Sequence, residues 1–297
     1  MIPPRSILAA VDFSEPSRVA LTLAARLAKQ CHSQLHVLHA EDPLLHAAAH
    51  AKGIDLTCDT REELGRFMLA AYPAGEWTPI HHVVVGGSTD VICDIADREQ
   101  VDLIVMGMYG MSGVERAMFG STTEGVLRCA DVSVLAVPGS WTPPRNDTPD
   151  LTGMGPVVAG IECEGPALDA AAAACRLAKT LETSVELIHV VPTVPALARW
   201  RAHAEAAVSS RVETARRALT SALLALGAEV PVRLHVESGS VAERLAASVA
   251  PAPDRHPILV LGRRARADRS GAPGATAYRV LALAHVPVLV YLPQNNS

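Results

Sequence analysis

The sequence predicts an α/β protein made of two tandem doubly wound domains, each a five-stranded parallel sheet with helices on both faces. Short apolar runs alternate with helical segments, which indicates parallel strands that are buried on both sides. The same order of segments occurs twice, and glycines follow several of the apolar runs. In doubly wound sheets, ligands bind beyond the carboxyl ends of the strands, where the strand order reverses. A site is therefore expected where the glycines follow the strands.

Each element of the first copy has its own signal. The segment from Ile7 to Val11 is a continuous apolar run, typical of a covered parallel strand. Pro16 stands near the first turn of the next helix, where its missing N–H does no harm. In chain order we expect a strand at 7–11, a helix at 15–31, a strand at 35–40, a longer polar helix within 44–72, a strand at 80–85, a helix at 89–98, a strand at 103–106, a helix at 122–130 and a strand at 132–137.

An internal repeat indicates that the two halves are versions of one domain. Residues 7–40 lie over residues 157–190 without a gap, so that His39 meets His189. The strand-and-glycine sequence LIVMG likewise corresponds to ILVLG, and VSVLAV corresponds to VPVLVY. Such self-similarity predicts that both halves have the same fold.

The segment between the copies has the composition of a linker. It contains several prolines, glycines and short polar residues, which sustain neither a helix nor a strand. We predict a first domain at 1–138, a linker at 139–155 and a second domain at 156–297.

Composition argues against several classes of function. The formal net charge of −5 offers no basic surface for nucleic acid or an anionic membrane. No apolar run reaches the ~18 residues of a membrane-spanning helix, and the first apolar run is too short for a secretory signal. The six cysteines form no C-x-x-C pair and are expected to be small buried residues in a reducing compartment, with neither a disulfide framework nor a zinc site. We expect a cytoplasmic protein with no nucleic-acid partner and no membrane partner.

The glycine-rich segment after the fourth strand predicts a phosphate-binding loop. A polyphosphate needs converging N–H donors and close backbone approach, which glycines permit. A helix that begins after Gly120 would add free N–H groups and the positive end of its dipole, and Ser121 and Thr122 would add hydroxyl donors. There is no Walker lysine, and Arg116 is the one cation of the loop. The alternative is a set of turn glycines followed by an N-capping Ser or Thr.

The spacing G-x2-G-x9-G-[ST], the repeat, and the strand-end sequences AVDFSE and LHVLHA together resemble the universal stress protein family in its tandem two-domain form. The resemblance covers nearly all of the chain and implies the strand order 3-2-1-4-5 in each domain. It also implies that the first domain binds ATP with Mg²⁺. For Asp12, helix capping or charge complementarity is the alternative role. The site residues that the resemblance implies are Ala10, Asp12, Ala40, Met106, Gly107, Gly110, Met111, Ser112, Gly120, Ser121 and Thr122.

The second copy departs from this pattern at positions that ATP would need. Ala265 replaces the second glycine, Ala275 stands where Ser121 stands, and Glu162 replaces the shorter Asp12, although Thr276 still matches Thr122. We therefore expect a degenerate second domain. Its loop contains four arginines that could hold another anion, but a solvated charged loop is the expected role of Arg263, Arg264, Arg266 and Arg269.

The histidines do not predict a metal site. His46 and His50 have the i, i+4 spacing of a zinc pair, but no third ligand is evident, so a surface helix is expected. His81 and His82 open a strand, where alternation sends the two rings to opposite faces and makes a poor chelate. His39 and its counterpart in the second copy are expected to be packed and hydrogen-bonded.

No catalytic group is predicted, because the chain has no G-x-S-x-G elbow, no cysteine with an evident base and no carboxylate pair of diagnostic spacing. The expected function is that of an ATP-binding stress-response regulator that is not an enzyme, with at most slow ATP hydrolysis. The alternatives are an adenine-nucleotide hydrolase or transferase of related fold, and a scaffold that binds no nucleotide. The expected partners are an adenine nucleotide and an unidentified regulatory protein. By the same resemblance the strands at 132–137 and 288–292 pair into an intramolecular pseudo-dimer, and a homodimer is left open.

Overall fold

The computed structural model describes residues 3–72, 78–108, 120–144, 151, 153–162, 167–193, 198–250, 255–263 and 273–293. The chain divides into two compact units, with the boundary between Leu151 and Gly153. Among the helices that the structure describes, none has the length and apolar character needed to cross a bilayer.

The first unit is a five-stranded parallel sheet in the predicted order. Strand β1 pairs with β2 and β4, β2 also pairs with β3, and β4 also pairs with β5, which gives the order β3-β2-β1-β4-β5. This confirms the fold class. The elements are β1 (Ser6–Ala10), α1 (Glu15–Cys31), β2 (Gln34–Glu41), α2 (Pro43–His50), α3 (Leu56–Ala71), β3 (Ile80–Val85), α4 (Ser88–Arg98), β4 (Leu103–Gly107), α5 (Ser121–Cys129) and β5 (Ser133–Val137).

The second unit repeats the same order of strands. Strand β6 pairs with β7 and β9, β7 also pairs with β8, and β9 also pairs with β10. The order β8-β7-β6-β9-β10 is therefore again 3-2-1-4-5. The elements are β6 (Val157–Gly160), α6 (Ala167–Thr180), β7 (Val185–Pro192), a short 3₁₀ turn (Ala198–Trp200), α7 (Arg201–Leu226), β8 (Val232–Gly239), α8 (Val241–Ser248), β9 (Ile258–Gly262), α9 (Ala275–Leu283) and β10 (Val288–Tyr291).

The longer helix expected within 44–72 is α3 (Leu56–Ala71), and a shorter helix, α2 (Pro43–His50), which was not predicted, precedes it. Asp42 caps α2 by accepting hydrogen bonds from the N–H groups of Leu44 and Leu45. Gly53 then adopts a left-handed conformation with φ of 73°, and Asp55 caps α3. The two capping aspartates and the left-handed glycine are the local signals of this break.

Part of the predicted linker packs against the first unit. The side chain of Trp141 is buried, and the carbonyl of Pro144 accepts a hydrogen bond from the guanidinium of Arg26 on α1 at 3.2 Å.

Helix α1 is capped at both ends. Ser14 accepts the N–H of Ser17 at its start, and His32 in a left-handed conformation ends it. The start of α1 is consequently held firmly beside the ends of the strands.

The expectation that the cysteines form no disulfide is wrong for one pair. Cys93 of α4 and Cys129 of α5 form a disulfide with their Cα atoms 6.7 Å apart. The two helices pack against each other. The two cysteines are 36 residues apart in sequence, so their spacing does not predict that they are close in the fold. Cys58 is exposed rather than buried, and Cys163 lies outside the described residues. Burial raises the pKa of the Cys31 thiol to about 11, so this thiol is unreactive.

The end of β2 carries a buried carboxylate that the sequence did not single out. Glu41 is 2% exposed, and its Oε2 accepts hydrogen bonds from the Thr57 hydroxyl at 2.9 Å and from His46 Nδ1 at 3.0 Å. Burial alone would raise the pKa of Glu41, but hydrogen bonds from Thr60, Thr57 and His46 outweigh burial and hold this pKa below its usual value. His46 therefore pairs with Glu41 and does not form a chelate with His50.

We expect Glu41→Gln to lower the free energy of unfolding at pH 7 by about 1–3 kcal/mol, because the buried network loses the negative charge of its acceptor. Since the folded pKa of Glu41 lies below its ordinary value of 4.5, the ionised carboxylate stabilises the fold above that pH and loses this effect as the pH falls further. The difference between wild type and variant should therefore shrink in acid. Urea unfolding at pH 7 and pH 4 measures it.

Glu63→Gln is the matched control, because Glu63 makes an exposed ion pair with Arg66 and should change stability by less than about 0.5 kcal/mol. An equal effect of both variants would contradict the role of Glu41.

Candidate functional site

A cavity of about 250 Å³ opens beyond the carboxyl ends of β1, β2 and β4. The first turns of α1, α4 and α5 complete its wall. This is the position at which the strand order reverses, because the chain runs from β1 to β2 and β3 on one side and then crosses to β4 on the other side of β1. The predicted site residues that line it are Ala10, Asp12, Ala40, Met106, Gly107, Gly120, Ser121 and Thr122. The structure thus makes neighbours of residues that are far apart in sequence. Gly110, Met111 and Ser112 lie outside the described residues.

Asp12 supports the turn before α1, although the N-cap of that helix is Ser14. Its Oδ1 accepts hydrogen bonds from the N–H of Ser14 at 3.1 Å and from the Ser14 hydroxyl, and its own N–H donates to the Ser17 hydroxyl at 3.3 Å. These bonds shape the turn that begins α1. At the same time Asp12 lines the cavity. In the described part of the chain, no group donates to its Oδ2.

The turn after Asp12 is strained. Phe13 adopts φ of 62°, the left-handed region that non-glycine residues rarely occupy, at a cost of about 1–3 kcal/mol. Aromatic contacts hold it there, because the ring of Phe13 lies 4.4 Å from the ring of His39 and 5.5 Å from that of Phe67. This strained turn connects the end of β1 to the start of α1 beside the cavity.

His39 is a packed and hydrogen-bonded residue, as predicted. Its Nδ1–H donates to the carbonyl of Val11 at 2.9 Å. The counterpart His189 donates in the same way to Ile161 at 2.9 Å. In each unit the histidine ties the end of the second strand to the end of the first. Because His39 also lines the cavity, the same bond fixes one cavity wall.

Gly107 lies in close contact with the start of α1. A Cβ at this position would lie 3.1 Å from Pro16 and 3.2 Å from the backbone nitrogen of Ser17. Glycine therefore lets the start of α1 approach the end of β4. Neither Gly107 nor Gly120 has a positive φ, so left-handed backbone is not the reason for a glycine at these two positions. At the equivalent Gly262 of the second unit, a Cβ would make only an ordinary contact, 3.4 Å from Ala170.

The start of α5 is anchored so that its first turn faces the cavity. The N–H of Gly120 donates to the carbonyl of Met108 at 3.1 Å, and the Thr123 hydroxyl donates to the carbonyl of Gly107 at 2.9 Å. Gly120 is the N-cap, and no described side chain caps the helix. The N–H groups of Ser121 and Thr122 have no partner within the helix, and no described residue outside the helix accepts from them.

Helix α4 presents a second, similar N-terminus to the same cavity. Its N-cap is Gly87, and here too no described side chain makes a capping bond. Ser88 lines the cavity from the first turn, and Ile92 lines it one turn later. Two helix dipoles thus point their positive ends at one space, which favours an anionic group.

Sequence reasoning missed several residues of the cavity wall. For Ser88 a signal was present, because Gly87-Ser88 follows a strand in the first copy as Gly239-Ser240 does in the second. For the apolar side chains no sequence signal exists, because apolar residues that line the cavity cannot be distinguished by type or pattern from apolar residues of the core. The missed residues are Val11, Ser17, Leu38, His39, Ser88, Ile92 and Thr123.

The corresponding part of the second unit differs. Ala275 offers no hydroxyl in the first turn of α9, and Glu162 is exposed. The prediction of a solvated arginine loop is wrong for Arg263, which is 4% exposed and whose N–H donates to the carbonyl of Tyr291 at 2.8 Å. Its place at the end of β9, beside β10, accounts for this burial. Ala265 and the arginines Arg264, Arg266 and Arg269 lie outside the described residues.

A parallel sheet with a cavity at its switch point, and two helix N-termini that no described side chain caps, place the first unit in the doubly wound α/β class. The model of the universal stress protein family matches residues 4–138 and 154–291. The chain belongs to the universal stress protein family and contains two such domains in tandem, which confirms the resemblance drawn from its motifs.

Individual relatives agree with this assignment. Universal stress protein MJ0531 of Methanocaldococcus jannaschii is 30% identical over 138 residues, which are 45% of this chain and 81% of that protein. Universal stress protein A homolog 1 of Coxiella burnetii is 28% identical over 138 residues, 45% of this chain and 95% of that protein. The crystal structure of a universal stress protein from Archaeoglobus fulgidus matches with a TM-score of 0.62 at 18% identity, over 98% of this chain and 97% of that chain. The structural likeness shows the fold.

Proposed function

We propose that the first unit binds ATP and that the protein is a nucleotide-dependent stress-response regulator. The observation that carries this proposal is the convergence of the uncapped N-termini of α4 and α5 on one cavity, with Ser88, Ser121 and Thr122 in its wall. Backbone N–H groups and hydroxyls at a helix start are suited to phosphate oxygens. The described wall contains no lysine or arginine, so these groups do the work that a cation does in a Walker loop.

The remaining wall suits a nucleoside. Leu38 and Met106 are buried apolar residues beside the small side chains of Ala10 and Ala40, which leave room for a flat base. We propose that the Oδ2 of Asp12 accepts a hydrogen bond from a ribose hydroxyl, because its Oδ1 already accepts hydrogen bonds from Ser14. The base would thus contact apolar side chains, the ribose would contact the carboxylate of Asp12, and the phosphates would contact N–H and hydroxyl donors.

Mg²⁺ fits this site only together with the nucleotide. Asp12 is the one carboxylate in the described cavity wall. Mg²⁺ is commonly held by one or two carboxylates together with substrate phosphates and water. One carboxylate is too few to retain the ion alone, so we propose that Mg²⁺ arrives with ATP and neutralises the phosphates there.

The proposal includes binding without committed catalysis. Efficient phosphoryl transfer needs metal ions, a positioned base and cationic groups at the transferred phosphoryl. The described wall offers a single carboxylate and no cationic side chain from lysine or arginine. We expect phosphate release with Mg-ATP to be orders of magnitude slower than the roughly 1–100 s⁻¹ of kinases.

A continuous phosphate-release assay with wild type and Asp12→Asn measures this rate. Fast, multiple turnover that Asp12→Asn abolishes would overturn the binding-only proposal in favour of an adenine-nucleotide hydrolase or transferase. Slow release that is the same in both proteins would agree with it.

We propose that the protein is located in the cytoplasm and acts through a regulatory protein partner. The Cys93–Cys129 disulfide is the observation that stands against this location, because cytosolic thiols are kept reduced. Fractionation of cells that express the protein, with thiol trapping at lysis, reports both the location and the state of this pair.

A further inference from the structure

A group of potential metal ligands lies outside the cavity, on the edge of the sheet of the first unit. His36 belongs to β2 and His82 to β3, the edge strand. The parallel register places Leu38 opposite His82, and His36 lies two residues before Leu38, on the same face of the sheet. His36 Nδ1 and His82 Nε2 are 3.0 Å apart, and the two rings are stacked with an interplanar angle of 13°.

Glu99 completes the group from another element. It follows directly after α4, whose last turn reaches the edge of the sheet. One ligand atom from each of His36, His82 and Glu99 lies within 4.8 Å of the others. His36 is 4% exposed, whereas His82 and Glu99 are half-buried. The group is therefore closed towards the core and open towards solvent.

The distances are close to those of a tetrahedral zinc site. Zinc binds imidazole nitrogen at about 2.0–2.1 Å, so two nitrogens on one tetrahedral ion lie about 3.3–3.4 Å apart. The observed 3.0 Å between His36 and His82 needs a widening of only a few tenths of an ångström. The carboxylate of Glu99 has further to move, and its half-buried side chain allows this.

Arg98 orients one of the three potential ligands, Glu99. The Nε–H of Arg98 donates a hydrogen bond to Glu99 Oε1 at 3.1 Å. The second oxygen of the same carboxylate can serve as ligand, since ligating carboxylates are commonly oriented by such a neighbour.

We propose that His36, His82 and Glu99 form a zinc site, with a fourth position open to water. Two imidazoles and one carboxylate are a ligand set that zinc uses when one coordination position is left open. The site is separate from the cavity. Helix α4 begins at Ser88 in the cavity wall, and the site lies beyond its other end. Zinc would therefore fix the end of α4 to β2 and β3 without occupying the nucleotide cavity.

The test is a ZnCl₂ titration of tag-free, EDTA-treated full-length protein, followed by calorimetry. A Cys58→Ser background removes the exposed thiol as a competing ligand. We expect one zinc ion per chain. His82→Asn and Glu99→Gln should each weaken binding by at least about tenfold. His81→Asn is the matched control, because His81 is exposed and adjacent but points to the opposite face, and it should leave the affinity unchanged.

Two further measurements keep the result interpretable. Urea unfolding in EDTA shows whether each variant folds, and Co²⁺ in place of zinc gives the visible absorption of a tetrahedral site. No saturable zinc binding by the wild type would overturn the proposal and leave His36 and His82 as a hydrogen-bonded pair. Binding that persists unchanged in His82→Asn and Glu99→Gln would also overturn it, because the ion would then lie elsewhere. ATP binding is independent of both outcomes.

Discussion

Loss of the Cys93–Cys129 disulfide is expected to lower the free energy of unfolding of the first unit by about 4 kcal/mol. The estimate comes from loop-closure entropy in the unfolded chain for a separation of 36 residues. This is a large part of the 5–15 kcal/mol that stabilises a typical domain. The reduced first unit should therefore unfold at a clearly lower denaturant concentration than the oxidised one.

Guanidinium unfolding of the full chain, with and without reductant, measures this effect, and Cys93→Ser/Cys129→Ser should reproduce the reduced protein. Cys58→Ser is the control, since Cys58 is exposed and outside the disulfide. The transition of the first unit must be followed separately, because a protein with two domains is not a two-state system. Identical midpoints for the oxidised protein and the double variant would contradict the stabilising role.

The disulfide has a second expected effect, on the cavity. It joins α4 to α5, whose first turns contribute Ser88 and Ser121 to the cavity wall. Reduction leaves both helix N-termini present but less firmly positioned. We therefore expect weaker ATP binding in Cys93→Ser/Cys129→Ser, measured by calorimetry under conditions in which the variant is still folded.

Removal of the α5 hydroxyls is expected to weaken ATP binding strongly. In Ser121→Ala/Thr122→Val the helix N-terminus remains, but two hydroxyl donors to the phosphates are lost. A hydrogen bond to a charged group contributes about 1.5–3 kcal/mol, so the dissociation constant for ATP should rise by at least about tenfold. Isothermal titration with Mg-ATP gives the value directly.

The second unit offers a matched control for this variant. Thr276 occupies in α9 the position that Thr122 occupies in α5, and Ala275 already stands at the position of Ser121. Thr276→Val should leave ATP affinity unchanged. Equal losses in the two variants would show that the effect does not come from the proposed site.

The fold was largely predictable from sequence, for a clear physical reason. Continuous apolar runs such as Ile7–Val11 are typical of parallel strands that are covered on both faces. Because the sequence is repeated, each strand or helix predicted in one half can be checked against its counterpart in the other half. The break between α2 and α3 was less visible. It depends on the left-handed Gly53 and on the Asp55 cap, which act within a segment that otherwise has helical character.

The site was predictable where a residue type limits backbone or donors, and not where the fold alone brings residues together. Asp12, Gly107 and Ser121 were predicted because they follow strands or begin a helix and match the family's sequence pattern. The reason for Gly107 was not foreseen, since the Pro16 that it contacts lies 91 positions earlier in the chain. Groups of residues that only tertiary packing brings together were likewise not predicted.

Two groups show that limit. Cys93 and Cys129 meet because α4 and α5 pack together. His36 and His82 meet because β2 and β3 pair in one particular register. Neither pair has a sequence spacing that predicts its chemistry.

The central claim is that the first unit binds ATP and the degenerate second unit does not. Native mass spectrometry of the freshly purified full chain, followed by titration with Mg-ATP, tests both halves of this claim at once. We predict one adenine nucleotide per chain at saturation, lost in Ser121→Ala/Thr122→Val and retained in Thr276→Val. No bound nucleotide, together with no thermal shift on addition of ATP, would contradict the account, and so would two nucleotides per chain.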